Sequence, residues 1–194
     1  LSSLPNPKNP PPRITRIGEP IPYAPKIAEG IKLAPHHLKT LDQTITGTDY
    51  LSARKTMMLN NDVAISICNP SELKMDYYYK NGHADEVVFV HEGSGVLLSQ
   101  MGKLEFREGD YIVIPRTIIH QFRFNDGPVR LLITESFSPI ETPRRYRNHF
   151  GQLLEHSPFC ERDIRAPHEL IEYTEGGEHL VQIKKDGMLH QHYY

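Results

Sequence analysis

Hydrophobic and polar positions alternate with period two over most of residues 53–136, a pattern typical of strands that bury one face. The alternating segments are short, and glycine, asparagine and aspartate separate them at "NND", "EGSG", Gly102–Lys103 and "NDG". This spacing predicts an all-β fold, an antiparallel sandwich or small barrel, and not a βαβ fold. The predicted strands are "ARKTMML", "VAISIC", "LKMDYYYK", "EVVFVH", "VLLSQM", "LEF", "YIVIP", "IIHQFRF" and "VRLLITES".

The segments on either side of this region have a different character. Nine of the sixteen prolines lie in residues 1–35, which predicts an extended arm because proline lacks the N–H donor of helices and central strands. The arm is either a solvated tail or a contact with a neighbouring subunit. Residues 35–43 could form a short helix. We therefore divide the chain into an arm and lead-in (1–50), a barrel (51–140), and a linker with the start of a strand region (141–194).

The last segment, "HLVQIKKDGMLHQHYY", restores the alternation around a "KDG" turn and stops in what reads as a strand. Because an unfinished hairpin leaves backbone groups unpaired, we expect the polypeptide to continue in nature.

Composition and charge argue against several classes of function. The 194 residues carry a net charge of −2, which gives no reason to expect nucleic acid or an anionic membrane as partner. No apolar run reaches the length of a membrane span. Cys68 and Cys160 match no zinc or redox spacing, so a reducing, cytoplasmic setting is expected.

Two segments contain candidate chemistry, "NGHADEVVFVHEGSG" and "GDYIVIPRTIIHQF". Alternation places Glu86 on one face with Val88 and Val90, and His120 on one face with Phe122. If both faces point inward, a carboxylate and an imidazole lie in an apolar interior, where a charge needs a partner. His83, Glu86 and His120 would together make a facial set of two histidines and a carboxylate, which suits a transition metal. The structural alternative, which we favour, pairs Glu86 and His120 with each other, with water or with backbone.

The second segment resembles a motif of the cupin superfamily. Gly109, Pro115 and His120 have the spacing of the second cupin motif, although Thr117 stands where that motif usually has glycine. The first motif matches less well. Its His-x-His position reads Asn81-Gly82-His83, and only two residues separate His83 from Glu86.

Within that superfamily, "DEVVFVHEGSGVLLSQMGKLEFREGDYIVIPR" resembles the first barrel of the homogentisate 1,2-dioxygenase family, and the likeness covers roughly residues 83–194. It implies a cupin-type jelly roll with a proline-rich N-terminal arm, in an enzyme of two barrels. The first barrel would hold no metal. The second would hold Fe(II), so no catalytic or cofactor-binding residue is expected in this chain and all are expected beyond Tyr194.

The reaction implied by the resemblance is ring cleavage of homogentisate by O₂ to maleylacetoacetate, in tyrosine and phenylalanine catabolism. Its partners would be a small aromatic acid, O₂ and further copies of the chain in a homo-oligomer. Two alternatives remain open at this point. One is a self-contained mononuclear cupin metalloenzyme with Fe(II), Mn(II) or Zn(II) on His83, Glu86 and His120. The other is a non-catalytic ligand-binding or scaffold module, with Tyr77, Tyr79, Phe122 and Phe124 lining an apolar pocket.

Overall fold

A computed structural model describes residues 15–17, 35, 37–171 and 177–194. The described residues form twelve strands and two short 3-10 helices, Arg144–Tyr146 and Glu161–Asp163. Within them there is no helix whose length and hydropathy would allow it to span a membrane. The strands are β1 (Thr15–Ile17), β2 (Arg54–Leu59), β3 (Val63–Cys68), β4 (Tyr78–Asn81), β5 (Asp85–Glu92), β6 (Gly95–Ser99), β7 (Gly102–Phe106), β8 (Tyr111–Ile114), β9 (His120–Phe124), β10 (Arg130–Ser136), β11 (Leu180–Lys185) and β12 (Met188–Tyr193).

The strands form two sheets that enclose one core. One sheet has the order β2-β3-β10-β5-β8, and all its neighbours are antiparallel. The other has the order β1-β12-β11-β4-β9-β6-β7, in which only β11 and β4 run parallel. The described residues therefore form a two-sheet jelly roll, and the predicted all-β fold class is confirmed.

Period-two alternation decides which side chains face the space between the sheets. On β5, Glu86, Val88 and Val90 are fully buried, whereas His91 is exposed. On β9, His120 and Phe122 are buried on the matching face of the opposite sheet. The core between the sheets is mostly apolar and aromatic, with Tyr50, Met75, Tyr79, Ile112, Phe106, Leu131 and Ile133 among its members.

The C-terminal hairpin belongs to the barrel's own sheet. β11 and β12 pair around the predicted "KDG" turn, and β11 adds to β4 in parallel register. The backbone of Gly82 also donates to the carbonyl of Lys184 at 2.8 Å. The segment 141–194 thus includes strands that extend the barrel, and the proposed domain boundaries remain a prediction.

Some local predictions were wrong. Pro35 and residues 37–43 are irregular instead of forming the expected short helix, with a bend at Thr40 and a turn at residues 41–42. The turn expected at Gly102–Lys103 lies two residues earlier, at residues 100–101, because Gly102 already pairs with Ser99. Most of the predicted proline-rich arm lies outside the described residues. Its described part, β1, is the edge strand next to β12.

Candidate functional site

The interior of the barrel contains a cluster of polar and charged side chains that connects the two sheets. Its centre is Glu86 on β5, which is fully buried and accepts five hydrogen bonds from described residues. Such a carboxylate is tolerated in an apolar core only when charges and donors compensate for the water it has lost. The members of the cluster are Tyr50, Arg54, Tyr79, Asn81, Glu86, His120, Glu135 and Lys184.

A bidentate ion pair joins Arg54 to Glu86 at the centre of the cluster. Nη1 and Nη2 of Arg54 donate to Oε1 and Oε2 of Glu86, both at 3.1 Å. The guanidinium lies over the ring of Tyr50, 4.3 Å from its centroid, and 5.4 Å from that of Tyr79. Both tyrosine hydroxyls donate to Glu86, at 3.3 and 3.1 Å. Two π faces and a carboxylate therefore hold the guanidinium in one orientation.

A second carboxylate, Glu135 on β10, is joined to the first through Asn81. The Nδ2 atom of Asn81 donates to Oε1 of Glu86 at 2.9 Å and to Oε1 of Glu135 at 2.7 Å. Lys184 on β11 donates to both oxygens of Glu135, at 2.7 and 2.8 Å. Nη1 of Arg54 also lies 3.8 Å from Oε1 of Glu135. The cluster thus contains two carboxylates and two cations, and its formal charge is balanced.

These contacts determine the protonation states. Burial would raise the pKa of Glu86, but the charge and hydrogen bonds of Arg54 outweigh burial and lower that pKa well below its usual range. Burial raises the pKa of Tyr50 and of Tyr79 well above the usual value. Near neutral pH the carboxylate is therefore ionised, while both phenols stay protonated and act as donors.

His120 is buried on β9 and is neutral near pH 7. Burial lowers the pKa of its imidazole, against the opposing charge of Glu86. Nδ1 lies 3.0 Å from the carbonyl oxygen of Ile118, and because a carbonyl only accepts, Nδ1 carries the proton. Nε2 is then a bare acceptor, and it has no hydrogen-bond partner among the described residues. The ring packs edge-on against Tyr79, with centroids 5.4 Å apart.

Of the three candidate metal ligands, the structure brings Glu86 and His120 into the same interior but not His83. His83 is half-buried before β5, and its Nε2 accepts from the backbone N–H of Gly187 in the β11–β12 turn at 3.1 Å. Asp85 is the strand neighbour of Glu86 on β5. It lies on the opposite face from Glu86 yet is buried, because it accepts from the backbone of Arg116 and Ile140, each at 2.9 Å.

The donor set in this barrel does not fit a metal ion. Within residues 37–171 and 177–194, no group of three His, Cys, Asp or Glu side chains is placed to hold one. Both oxygens of Glu86 are already engaged by Arg54 and the neighbouring donors. A metal cation bound to Glu86 would lie next to the positively charged guanidinium of Arg54. Two positive charges in contact in a buried site repel each other strongly.

Sequence reasoning had missed Arg54, Glu135 and Lys184. Glu135 had a detectable signal, because alternation in "VRLLITES" puts it on the same face as Leu131 and Ile133. Arg54 and Lys184 had no such signal in the sequence, because each is a charged residue near the end of a strand whose alternation does not mark it as buried. Asn81 had been noticed only as the residue in place of a motif histidine, whereas it is the donor that joins the two carboxylates.

Comparison with known proteins finds a curated relative and several solved structures with distant similarity. No family model matches the chain. The relative is "Putative dioxygenase SSO1533" of Saccharolobus solfataricus, which is 33% identical over 178 residues. The alignment covers 91% of this chain and 45% of the relative. The chain therefore spans about half the length of the curated relative it matches.

Two solved structures illustrate the distant likeness. An RmlC-like cupin from Shewanella frigidimarina is 16% identical, covering 54% of this chain and 93% of that one, with a TM-score of 0.43. The polyketide cyclase RemF from Streptomyces resistomycificus is 18% identical, covering 54% and 81%, with a TM-score of 0.42. At these values the likeness adds nothing to the architecture already described.

Fold and site together define a two-sheet jelly roll whose interior contains a salt-bridged cluster. The particular protein to which it is similar carries the name of a dioxygenase and is about twice as long.

Proposed function

We propose that this chain is the non-catalytic barrel of a two-barrel, Fe(II)-dependent ring-cleaving dioxygenase. The observation that carries the proposal is the Arg54–Glu86 ion pair, which fills the place where a cupin would present a carboxylate to a metal. The similarity to a longer protein named as a dioxygenase supports a catalytic centre elsewhere in the full-length protein. In this proposal the iron is bound by residues beyond Tyr194.

The substrate that we propose is homogentisate, from the likeness of "FVHEGSG" and "GKLEFREGDYIVIPR" to the homogentisate 1,2-dioxygenase family. Both atoms of O₂ enter the product, maleylacetoacetate, so the overall reaction balances without an external reductant. The aromatic acid, O₂ and further copies of the chain would be the partners, in the cytoplasm. The role of the present residues is then to provide a rigid barrel against which the second barrel and neighbouring subunits pack.

The self-contained metalloenzyme is the less well supported alternative, because His83 contacts the β11–β12 turn and Glu86 is paired. A ligand-binding or scaffold module without chemistry agrees with the same closed interior. Tyr79 and Phe122, which could have lined an apolar pocket, are fully buried core residues. The activity of the full-length protein separates these candidates.

The test is oxygen uptake by the full-length gene product after loading with Fe(II) under anaerobic conditions. We expect uptake of one O₂ per homogentisate with formation of maleylacetoacetate, and no uptake by residues 1–194 alone. Gentisate, which has the same ring hydroxyls but a shorter acid side chain, is the control substrate. Uptake with gentisate alone would show that the substrate assignment is wrong, and no uptake with any dihydroxyphenyl acid would refute the dioxygenase.

A His120→Gln variant of the full-length protein distinguishes the two metal placements. If iron is held in the second barrel, the variant retains the iron content and turnover of the folded wild-type protein. Loss of iron in proportion to loss of turnover, in protein that remains folded by circular dichroism, would favour the metalloenzyme centred on Glu86 and His120.

A further inference from the structure

The two buried carboxylates of the cluster converge on the same cationic group. Glu86 on β5 and Glu135 on β10 lie on neighbouring strands and are directly opposite each other in the register of the sheet. Nη1 of Arg54 lies 3.1 Å from Oε1 of Glu86 and 3.8 Å from Oε1 of Glu135. One guanidinium nitrogen thus stands between the two carboxylate groups.

A second contact shows that the same two oxygen atoms are close together. Nδ2 of Asn81 reaches Oε1 of Glu86 at 2.9 Å and Oε1 of Glu135 at 2.7 Å. The Arg54 guanidinium and the Asn81 amide thus both contact the same pair of carboxylate oxygens. Paired carboxylate oxygens of this kind are the usual protein ligands of Mg²⁺ and Mn²⁺, which complete their coordination with water.

The guanidinium occupies this position rigidly. Tyr50 and Tyr79 flank Arg54, and its side chain is only 12% exposed. Nε2 of His120, a bare acceptor without a described partner, is buried in the same interior. The surroundings thus offer oxygen and nitrogen donors to a cation. Lys184 binds Glu135 from one side, and Arg54 is the cation that contacts both carboxylates.

We propose that Arg54 is the built-in cation of this barrel. Its guanidinium takes the electrostatic role of a metal ion between Glu86 and Glu135, and excludes metal ions from the native interior. Replacing Arg54 with a neutral residue opens a site for a hard divalent cation at these carboxylates. The inference stands on contacts within this chain and does not depend on the activity of the full-length protein.

The experiment compares thermal unfolding of the 194-residue chain in EDTA and in Mn²⁺. We expect the wild-type protein to unfold at the same temperature in EDTA and in Mn²⁺. Electron paramagnetic resonance should detect no tightly bound Mn²⁺ in it. Arg54→Ala should unfold at a lower temperature in EDTA, because Glu86 loses its ion pair while Lys184 still pairs with Glu135. Mn²⁺ at about a hundred times its Kd should raise that temperature by about 5–10 °C.

Two variants control for unspecific effects. Arg54→Lys keeps a cation and should stay insensitive to Mn²⁺. Arg54→Ala combined with Glu86→Gln removes one of the two carboxylates and should lose the response to Mn²⁺. If Arg54→Ala is recovered only as insoluble protein, the yield on refolding with Mn²⁺ or with EDTA becomes the readout, and a higher yield with Mn²⁺ is expected.

Three results would overturn the proposal. The first is a stoichiometric divalent metal in the wild-type chain that is lost in Glu86→Gln. The second is a folded Arg54→Ala variant whose unfolding temperature does not respond to Mn²⁺, or an insoluble one whose refolding yield does not. The third is an equal response in the double variant, which would show binding elsewhere.

Discussion

At the scale of residues, the interior of this barrel is organised by compensation of buried charge. A fully buried glutamate such as Glu86 would ordinarily take up a proton, because its charged form is poorly solvated there. It stays ionised because Arg54 gives it two hydrogen bonds and a full positive charge. Asn81 matters as much, since one amide nitrogen serves two carboxylates while its Oδ1 accepts from the backbone of His83 and Ala84.

Asn81→Asp should destabilise the chain strongly. The change is nearly isosteric, yet it replaces a shared donor with a third carboxyl group beside Glu86 and Glu135. We expect a loss of about 3–5 kcal/mol in the free energy of unfolding near pH 7. Burial and the two carboxylates raise the pKa of the new group in the folded state, so the loss shrinks as the pH falls and this group binds a proton. Urea unfolding at several pH values measures it.

The control for this prediction is Asn81→Ala, which removes the hydrogen bonds without adding a charge. It should lose about 1–3 kcal/mol, and the difference from Asn81→Asp should narrow at low pH. A difference that does not change with pH would contradict the charge argument.

His120 should make stability depend on pH. Its folded-state pKa lies below the ordinary value of 6.5 because of burial. The unfolded chain therefore binds this proton more readily, and the stabilisation present above pH 6.5 is lost as the pH falls towards the folded-state pKa. His120→Gln lacks this titration. The wild-type free energy of unfolding should thus fall, relative to that of the variant, between about pH 8 and about pH 5. Parallel pH curves for the two proteins would refute the assignment.

At the scale of elements, the segment "GDYIVIPRTIIHQF" shows how turns deliver His120 to the interior. Gly109 has φ +88° before β8, and Pro115 follows the end of that strand. Thr117 has φ 71°, and its N–H donates to the carbonyl of Asn81 at 2.7 Å. This region of backbone conformation favours glycine, which is the residue that the cupin motif usually has there.

Thr117→Gly should therefore stabilise the protein. A β-branched residue in the left-handed region carries steric strain of about 1–2 kcal/mol, and glycine's greater freedom in the unfolded chain offsets part of the gain. We expect a net gain of about 0.5–1 kcal/mol, seen as a higher unfolding temperature. Gly109→Ala is the matched opposite change. Its added Cβ would meet nothing within 4 Å, so any loss reports backbone strain alone. A lower stability of Thr117→Gly would show that the threonine side chain makes a compensating contact.

At the scale of the whole molecule, the C-terminal hairpin is tied to the barrel by backbone and by charge. β11 extends the sheet at β4, and Lys184 reaches across the interior to Glu135 on the opposite sheet. The cluster thus joins strands of both sheets, β2, β5 and β10 on one side and β4, β9 and β11 on the other.

Removing the hairpin tests this integration. A chain ending at residue 171 loses the neighbour of β4 and the cation of Glu135, so we expect a lower unfolding temperature and aggregation through the exposed strand edge. Lys184→Met isolates the charge contribution and should lose about 1.5–3 kcal/mol, as expected for hydrogen bonds to a charged group. Differential scanning calorimetry and light scattering measure the two effects. If the shortened chain unfolds like the intact one, the hairpin is an independent addition and the boundary at residue 140 is correct.

Local pattern was enough to predict the all-β class, the positions of most strands and the residues that share one face of β5 and of β9. Alternation is a property of neighbouring residues, and burial on one face of a strand enforces it. The unfavourable backbone at Thr117 could also be suspected from the motif position alone. The missing helix at residues 35–43 shows the limit, because a weak local preference does not survive without packing partners.

Only the tertiary structure decided what Glu86 and His120 contact. The partners of Glu86 are at positions 50, 54, 79 and 81, and the second ion pair brings together positions 135 and 184. The hydrophobic pattern of one strand does not indicate which side chains of the opposite sheet will contact it. The sequence by itself thus determined which residues share a face with Glu86 and which share a face with His120. The packing of the two sheets determined that an arginine, already paired, is the cation beside that carboxylate.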